Sequence, residues 1–584
     1  MTKRIITFLV CLALCVSCVA VGVINQTAKD SNSADTVNGA LTGATLETIA
    51  AGDRVGEAGS KLVEGETAGT YVLTDNVTIE NVDDPTYKAL VNLFNRKDGT
   101  ALVLDGGNKT ITTSIPLFDT IANTTIQNLT VTGPAMTVKS GDLVDFSNGK
   151  DRAFGILTAA SFGSTKFDNV TVDVDFTIAD LTSEGGLCVG AFVGYVDNGV
   201  TVINSTNDGI IKVLRGSCSG MSVGGFIGYI KPNTESFLDA DNCVNNGDLY
   251  VERTAGTGDL FMGGIAAYAY RDQDKADFCL NTGNIYGKTT TGNARIAGIL
   301  GHVFAPVLTD CINLGDITAE GVDSCTSARA SGHLGHQAHG GGGRTQTRCI
   351  NLGTITLKVP FGGQPAGGIA AWGTTRPNFV ECVNLGQVIS INTADGSEGF
   401  MGGITCFTGV ETKVTGCYSV EPTTEQKPGY TKMNADTFST TTGTASGSKV
   451  SFGTSMNKGA YDIISGVISN FAQKGIEIDF EFGAIITLAK YDEVIDGDFT
   501  HAIFDAYLAA NKTAIDAKAT ANNNGVATEI NALYMTASFP AGDGLEANGD
   551  NYIANISLGN AYDTTYIART YIKIGDVYFY SFSK

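Results

Sequence analysis

His333-Leu334-Gly335-His336-Gln337-Ala338-His339 sets imidazoles three residues apart, with Cys325 a short way upstream. On a helix this spacing would turn the rings to one face, where imidazole nitrogens and a thiolate can hold zinc. The surrounding glycines predict strand and loop instead. No metal or other cofactor is therefore expected, and His333, His336 and His339 stay weak candidates.

Gly216-Ser217-Cys218-Ser219-Gly220 has the spacing of a nucleophile elbow with Cys at its centre. His339-Gly340-Gly341-Gly342 has that of an esterase oxyanion loop. Both devices need a strand–turn–helix in an alternating α/β sheet, a pattern this chain lacks. Asp173, Asp175 and Arg215 come nearest to the calcium-binding carboxylates and base that a lyase needs, but read as a solvated face. No catalytic residue is assigned. Tyr229, Tyr268 and Trp372 share one repeat position, where they would either stack on a sugar or form a packed stripe.

A repeat must position all of these residues. Between 189 and 417 two phrases alternate about every 32 to 38 residues, the mark of stacked structural units. One is glycine-led, as in Gly224-Gly225-Phe226-Ile227 and Gly263-Gly264-Ile265-Ala266. The other reads Cys-x-Asn-x-Gly and begins at Cys243, Cys279, Cys311, Cys349 and Cys382, with Asn245, Asn281, Asn313, Asn351 and Asn384 in it. Three short apolar runs per repeat suit one turn of a three-sided parallel coil, rising about 4.8 Å. The Asn is expected at a left-handed corner with its amides bonded along the axis, and the Gly at positive φ. The five Cys form an inward ladder. At coil spacing their Cβ atoms stand farther apart than the roughly 3.5–4.5 Å of a disulfide, so free thiols are expected. Sequons at Asn76, Asn108, Asn123, Asn128, Asn169, Asn204, Asn511 and Asn555 read as ordinary turn and strand residues.

The chain carries 38 Lys and Arg against 60 Asp and Glu, a net charge of −22. That disfavours nucleic acid and anionic membrane surfaces as partners. Residues 1–22 read as a signal peptide, with lipidation at Cys18 as a rival and no membrane span after its removal. Residues 23–65 read as a linker or cap, 66–420 as the coil and 421–448 as a linker. Residues 449–584 form an α+β, β-sandwich-like module. In it Tyr461, Ile464, Val467, Ile468 and Phe471 share a helical face, a second helix spans Thr500 to Ala521, and a hairpin turns at Gly575-Asp576.

Leu104-Asp105-Gly106-Gly107-Asn108-Lys109-Thr110-Ile111, with Pro116-Leu117-Phe118 and Ile126-Gln127-Asn128-Leu129-Thr130-Val131, resembles the opening coils of pectate-lyase-like right-handed β-helix proteins. The glycine and Cys-x-Asn-x-Gly phrases resemble GLUG-type repeats of bacterial adhesin-like surface proteins. Phe482-Gly483-Ala484-Ile485-Ile486 and Tyr566-Ile567-Ala568-Arg569-Thr570-Tyr571-Ile572 are similar to a C-terminal module of secreted clostridial surface proteins. The resemblance implies a mainly β protein: a right-handed parallel β-helix, then the sandwich-like module. It also implies a secreted or cell-surface scaffold without catalysis, adhesin-like or carbohydrate-binding, whose partner is an extracellular glycan or host-surface ligand. The alternative is a polysaccharide lyase or glycoside hydrolase on the same fold.

Overall fold

The computed structural model describes residues 54–146, 151–338, 345–362, 364–375, 377–410, 412–420, 431–433, 438–440, 444–446, 449–488, 500–540, 544–558 and 565–581. The signal segment with Cys18, residues 23–53 and His339 lie outside the described residues, as does much of 421–448.

Nine strands, from Phe118–Ala122 to Thr405–Val410, stack in chain order in one parallel sheet. Sequential parallel neighbours a full repeat apart are what a solenoid produces. In one coil the chain runs through Ala266–Ala269 in this front sheet, then Lys275–Asp277 and Leu280–Asn281 in a corner sheet, then Ile285–Ala297 in a long sheet. The fold is a right-handed parallel β-helix of about nine turns. Residues Val170, Val172, Val174, Phe176 and Ile178 all point inward, yet they span a corner between two strands, Thr165–Asp173 and Phe176–Ala179.

The corner residue differs from the expectation. Asn242, Phe278, Asp310, Arg348 and Glu381, each just before the Cys, hold the left-handed conformation, and the phrase's Asn and Gly do not. Upstream, Asn128, Asn169 and Asn204 are left-handed too, as are the sequon residues Asn108 and Asn123. The phrase's Asn points inward instead. Each amide Nδ2 donates to the next coil: Asn245 to Asn281 at 2.7 Å, Asn281 to Asn313 at 2.8 Å, Asn313 to Asn351 at 2.7 Å and Asn351 to Asn384 at 2.8 Å. Sequence separations of 36, 32, 38 and 33 thus close on one axial spacing, and loops absorb the differences.

Both glycine requirements follow from close approach. A Cβ on Gly283 would lie 2.1 Å from the Gly247 carbonyl, and one on Gly315 2.0 Å from that of Gly283. A Cβ on Gly264 would meet Asn281 Oδ1 at 2.6 Å, and one on Gly298 would meet Asn313 Oδ1 at 2.2 Å. The two phrases are therefore one device: the second glycine of the glycine phrase makes room for the asparagine ladder.

The N-terminal end is capped. Strand Leu62–Glu64 pairs antiparallel with Thr70–Leu73, so part of the expected linker is structured. Helix Pro85–Phe94 follows, N-capped by Asp84, and buries Leu90 and Phe94 over the end of the core. Such caps keep an open parallel edge from recruiting another chain.

The C-terminal module has two antiparallel sheets. One holds Lys449–Asn457 and Asn551–Leu558, the other Phe480–Leu488 and Tyr566–Ile574. They pack face to face through Phe452, Ile556, Ala484, Ile486 and Ala568, as in a sandwich. Strands at Phe438–Thr440 and Thr444–Ser446 belong to the first sheet, and Thr431–Met433 extends the corner sheet. The segment 421–448 is thus more than a linker. Helix Lys458–Gln473 buries the face expected of it, and what it meets is the solenoid. Tyr461, Ile464, Val467, Ile468 and Phe471 share one apolar cluster with Leu280, Ile312, Leu314, Ile350, Leu352, Val383 and Leu385. Those are seven of the ten x residues in the five Cys-x-Asn-x-Gly phrases, which alternate outward.

Candidate functional site

Along the front sheet one outward position carries a ring in successive coils. Tyr195 lies beside Tyr229, Tyr229 beside Tyr268, Tyr268 beside His302 and His302 beside His336. A Gly or Ala precedes each ring: Gly194, Gly228, Ala267, Gly301 and Gly335. Trp372 follows Ala371 and pairs with Phe407 in the next coil. The long sheet presents a facing column of Cys188, Ser222, Phe261, Arg295 and Arg329.

The rings pack on one another. Tyr229 and Tyr268 stack with centroids 4.5 Å apart, Tyr268 and His302 at 5.1 Å, and Phe146 covers Tyr195 at 3.9 Å. Tyr229 and Tyr268, read either as platforms for a sugar or as a packed stripe, have neighbours against their ring faces and turn their edges outward. The Arg329 guanidinium lies 4.4 Å from the Trp372 ring centre.

Between the two columns runs a cleft of about 590 Å³, lined by Phe146, Phe162, Cys188, Tyr195, Ser222, Tyr229 and Phe261, with Asp151, Asp197, Lys231 and Asp259. An apolar floor with a few converging polar groups is the usual make-up of a ligand site. Its carboxylates are already engaged. Asp197 takes Lys231 at 2.6 Å and the Tyr195 hydroxyl at 3.1 Å. Asp259 takes Arg295 at 2.5 Å and the Asn293 amide at 2.8 Å. Asp151 accepts the Gly186 N–H at 2.7 Å. Burial pushes the Tyr229 hydroxyl up to about 12 and the Cys188 thiol well above its usual range, so neither supplies an anion at neutral pH.

The histidine cluster comes apart. His333 is fully buried, with Nε2 3.0 Å from the Cys311 carbonyl. His336 sits on the outward column, its Nδ1 3.1 Å from that of His302. Burial, then the charges of Arg295 and Arg329, lowers the His302 pKa to about 3; burial and Arg329 likewise lower that of His336. Both rings are neutral at pH 7. Among the described residues no group of three His, Cys, Asp or Glu is placed to hold a metal.

Cys218 is buried in a loop after strand Ile211–Ser217, with no helix behind it, and burial raises its thiol to about 11. Arg215 pairs with Asp180 at 2.8 Å, while Asp175 accepts the Ile210 N–H at 2.8 Å, so the calcium-and-base set does not assemble. Cys243, Cys279, Cys311, Cys349 and Cys382 form the inward column, all buried and unbridged. Cys417 continues it, its Sγ 3.3 Å from the Cys382 N–H.

Sequence reading missed Tyr195, His302 and the facing column. The Gly-aromatic dyads Gly194-Tyr195 and Gly301-His302 carried the signal for the first two. Cys188, Ser222, Phe261, Arg295 and Arg329 share no residue type, and only the strand register aligns them. No family model, curated protein or solved structure matches this chain. What stands is the parallel β-helix architecture itself.

Proposed function

We propose that this protein is an exported, non-catalytic β-helix scaffold that binds a carbohydrate in the cleft between its front and long sheets. The observation that carries the reading is the cleft itself, with an aromatic floor spread over adjacent coils and hydroxyl, carboxylate and ammonium groups at its rim. The floor excludes water from the apolar side of a sugar. The edges of Tyr195 and Tyr229, with Asp197, Lys231 and Ser222, offer donors and acceptors to its hydroxyls. A preformed, ring-packed wall limits the entropy lost on binding.

An enzyme of the lyase or hydrolase kind is the competing reading. Asp151, Asp197 and Asp259 in one cleft favour it; the partners that occupy each carboxylate weigh against it. The test is a glycan array with the secreted form, followed by calorimetry on any hit and an assay for chain cleavage. The reading expects saturable binding, abolished by Ser222→Trp, which fills the cleft from the wall opposite the tyrosines, and no cleavage. Binding untouched by Ser222→Trp, or turnover of the bound chain, overturns it.

A further inference from the structure

The cleft's two columns continue past Phe261 and Tyr268 into a different chemistry. After Phe261 the long-sheet column becomes Arg295 and then Arg329, side by side in adjacent strands. After Tyr268 the facing column becomes His302, His336 and Trp372. Two guanidiniums thus stand in neighbouring coils, where like charges repel, with one carboxylate, Asp259, bonded to Arg295. Arg329 Nε and Nη1 and Arg295 Nε are buried with no hydrogen-bond partner among the described residues. Trp372 attracts the Arg329 guanidinium through its ring face, which leaves the edge N–H groups without an acceptor. Neutral His302 and His336 add no countercharge.

We propose that Arg329, with Arg295 beside it, forms an oxyanion subsite at the end of the cleft, taking a sulfate or carboxylate group carried by the bound glycan. The planar fork of a guanidinium matches either group, and an arriving oxyanion supplies the acceptors and the charge now missing. Asp151 and Asp197 occupy the other end, so a chain bearing such a group would enter in one orientation. The inference rests on the cleft being the carbohydrate site.

Trp372 is the sole tryptophan of the chain, so its emission reports on the guanidinium above it. The full-length protein is titrated with sodium sulfate, sodium glucuronate and glucose at constant ionic strength, with calorimetry in parallel. A saturable response to sulfate, glucuronate or both, and none to glucose, is expected; which anion responds identifies the group. Arg329→Gln should weaken the response about tenfold or more, and Arg329→Lys, which keeps charge without the fork, should fall between. No saturable response in the parent protein overturns the subsite, as does equal affinity in an Arg329→Gln protein that melts like the parent. Should acidic and neutral glycans bind the Ser222→Trp-sensitive cleft equally, the oxyanion inference falls and the carbohydrate reading stands. Should the small anions bind while no glycan does, the subsite stands and the carbohydrate reading falls.

Discussion

Asn313 donates to Asn351 and to the Gly315 carbonyl, and accepts from Asn281, so three buried bonds meet on one amide. Asn313→Ala would leave the Asn281 donor and the Asn351 environment unpaired within the core, at a cost of about 3 kcal/mol. Exposed Asn246→Ala should stay within about 0.5 kcal/mol. Denaturant unfolding of the two variants makes the comparison; equal losses would mean the ladder contributes nothing special. The thiol column yields a second residue-scale expectation. Burial raises the thiols of Cys279, Cys311 and Cys349, and the hydrogen bond with Cys382, then burial, raises that of Cys417, so a thiol reagent at pH 8 should label them only on unfolding. Labelling of the folded protein, counted by mass spectrometry, would contradict this. The ladder was legible in the repeated Asn, but its geometry was not. Pattern shows that a residue recurs, and the reason it recurs, inward amide or left-handed corner, depends on which way the chain bends three residues earlier.

At the scale of elements, seven of the outward x residues and helix Lys458–Gln473 bury one another. Ile350 is fully buried there, and Ile350→Asp would place a charge in that apolar seam. Hydrogen exchange across the helix should speed up about tenfold or more, with the front sheet unchanged. Unchanged exchange in the helix would refute the docking. The helix face was readable from its period of 3.6, and both helices and the Gly575 hairpin lie where the sequence put them. Its partner was not readable, although Ile312-Asn313-Leu314 and Ile350-Asn351-Leu352 are apolar outside as well as polar inside. The front-sheet column adds a pH-dependent element. The depressed His302 pKa means the unfolded chain binds a proton that the folded one refuses, so its contribution to stability is present above about 6.5 and lost as pH falls toward 3. His302→Phe keeps a ring in the stack and removes the titration. Its stability relative to the parent should therefore rise as pH is lowered through that window, and a flat difference would contradict the buried, neutral imidazole.

For the whole molecule, a solenoid should tolerate loss of one full coil and reject loss of a part. Asn128 and Asn169 occupy equivalent corners 41 residues apart and are joined by a hydrogen bond of 3.0 Å. Deleting residues 129–169 should leave a cooperatively folding protein by circular dichroism and calorimetry, whereas deleting 129–148 should not. Equal behaviour of the two would argue against coil-by-coil stacking. The coil was legible in the sequence because its phrases recur, whereas the cleft was not, because its walls come from unlike residues aligned by register alone.

The central claim is that a carbohydrate lies in the cleft between the tyrosine column and the Cys188–Ser222–Phe261 column. Hydrogen exchange of the protein with and without a bound oligosaccharide tests it most directly. Protection confined to residues 186–188, 195–197, 220–222, 229–231 and 259–261, one cluster per wall in successive coils, is the predicted result. Protection on another face, or none at saturating ligand, would contradict it.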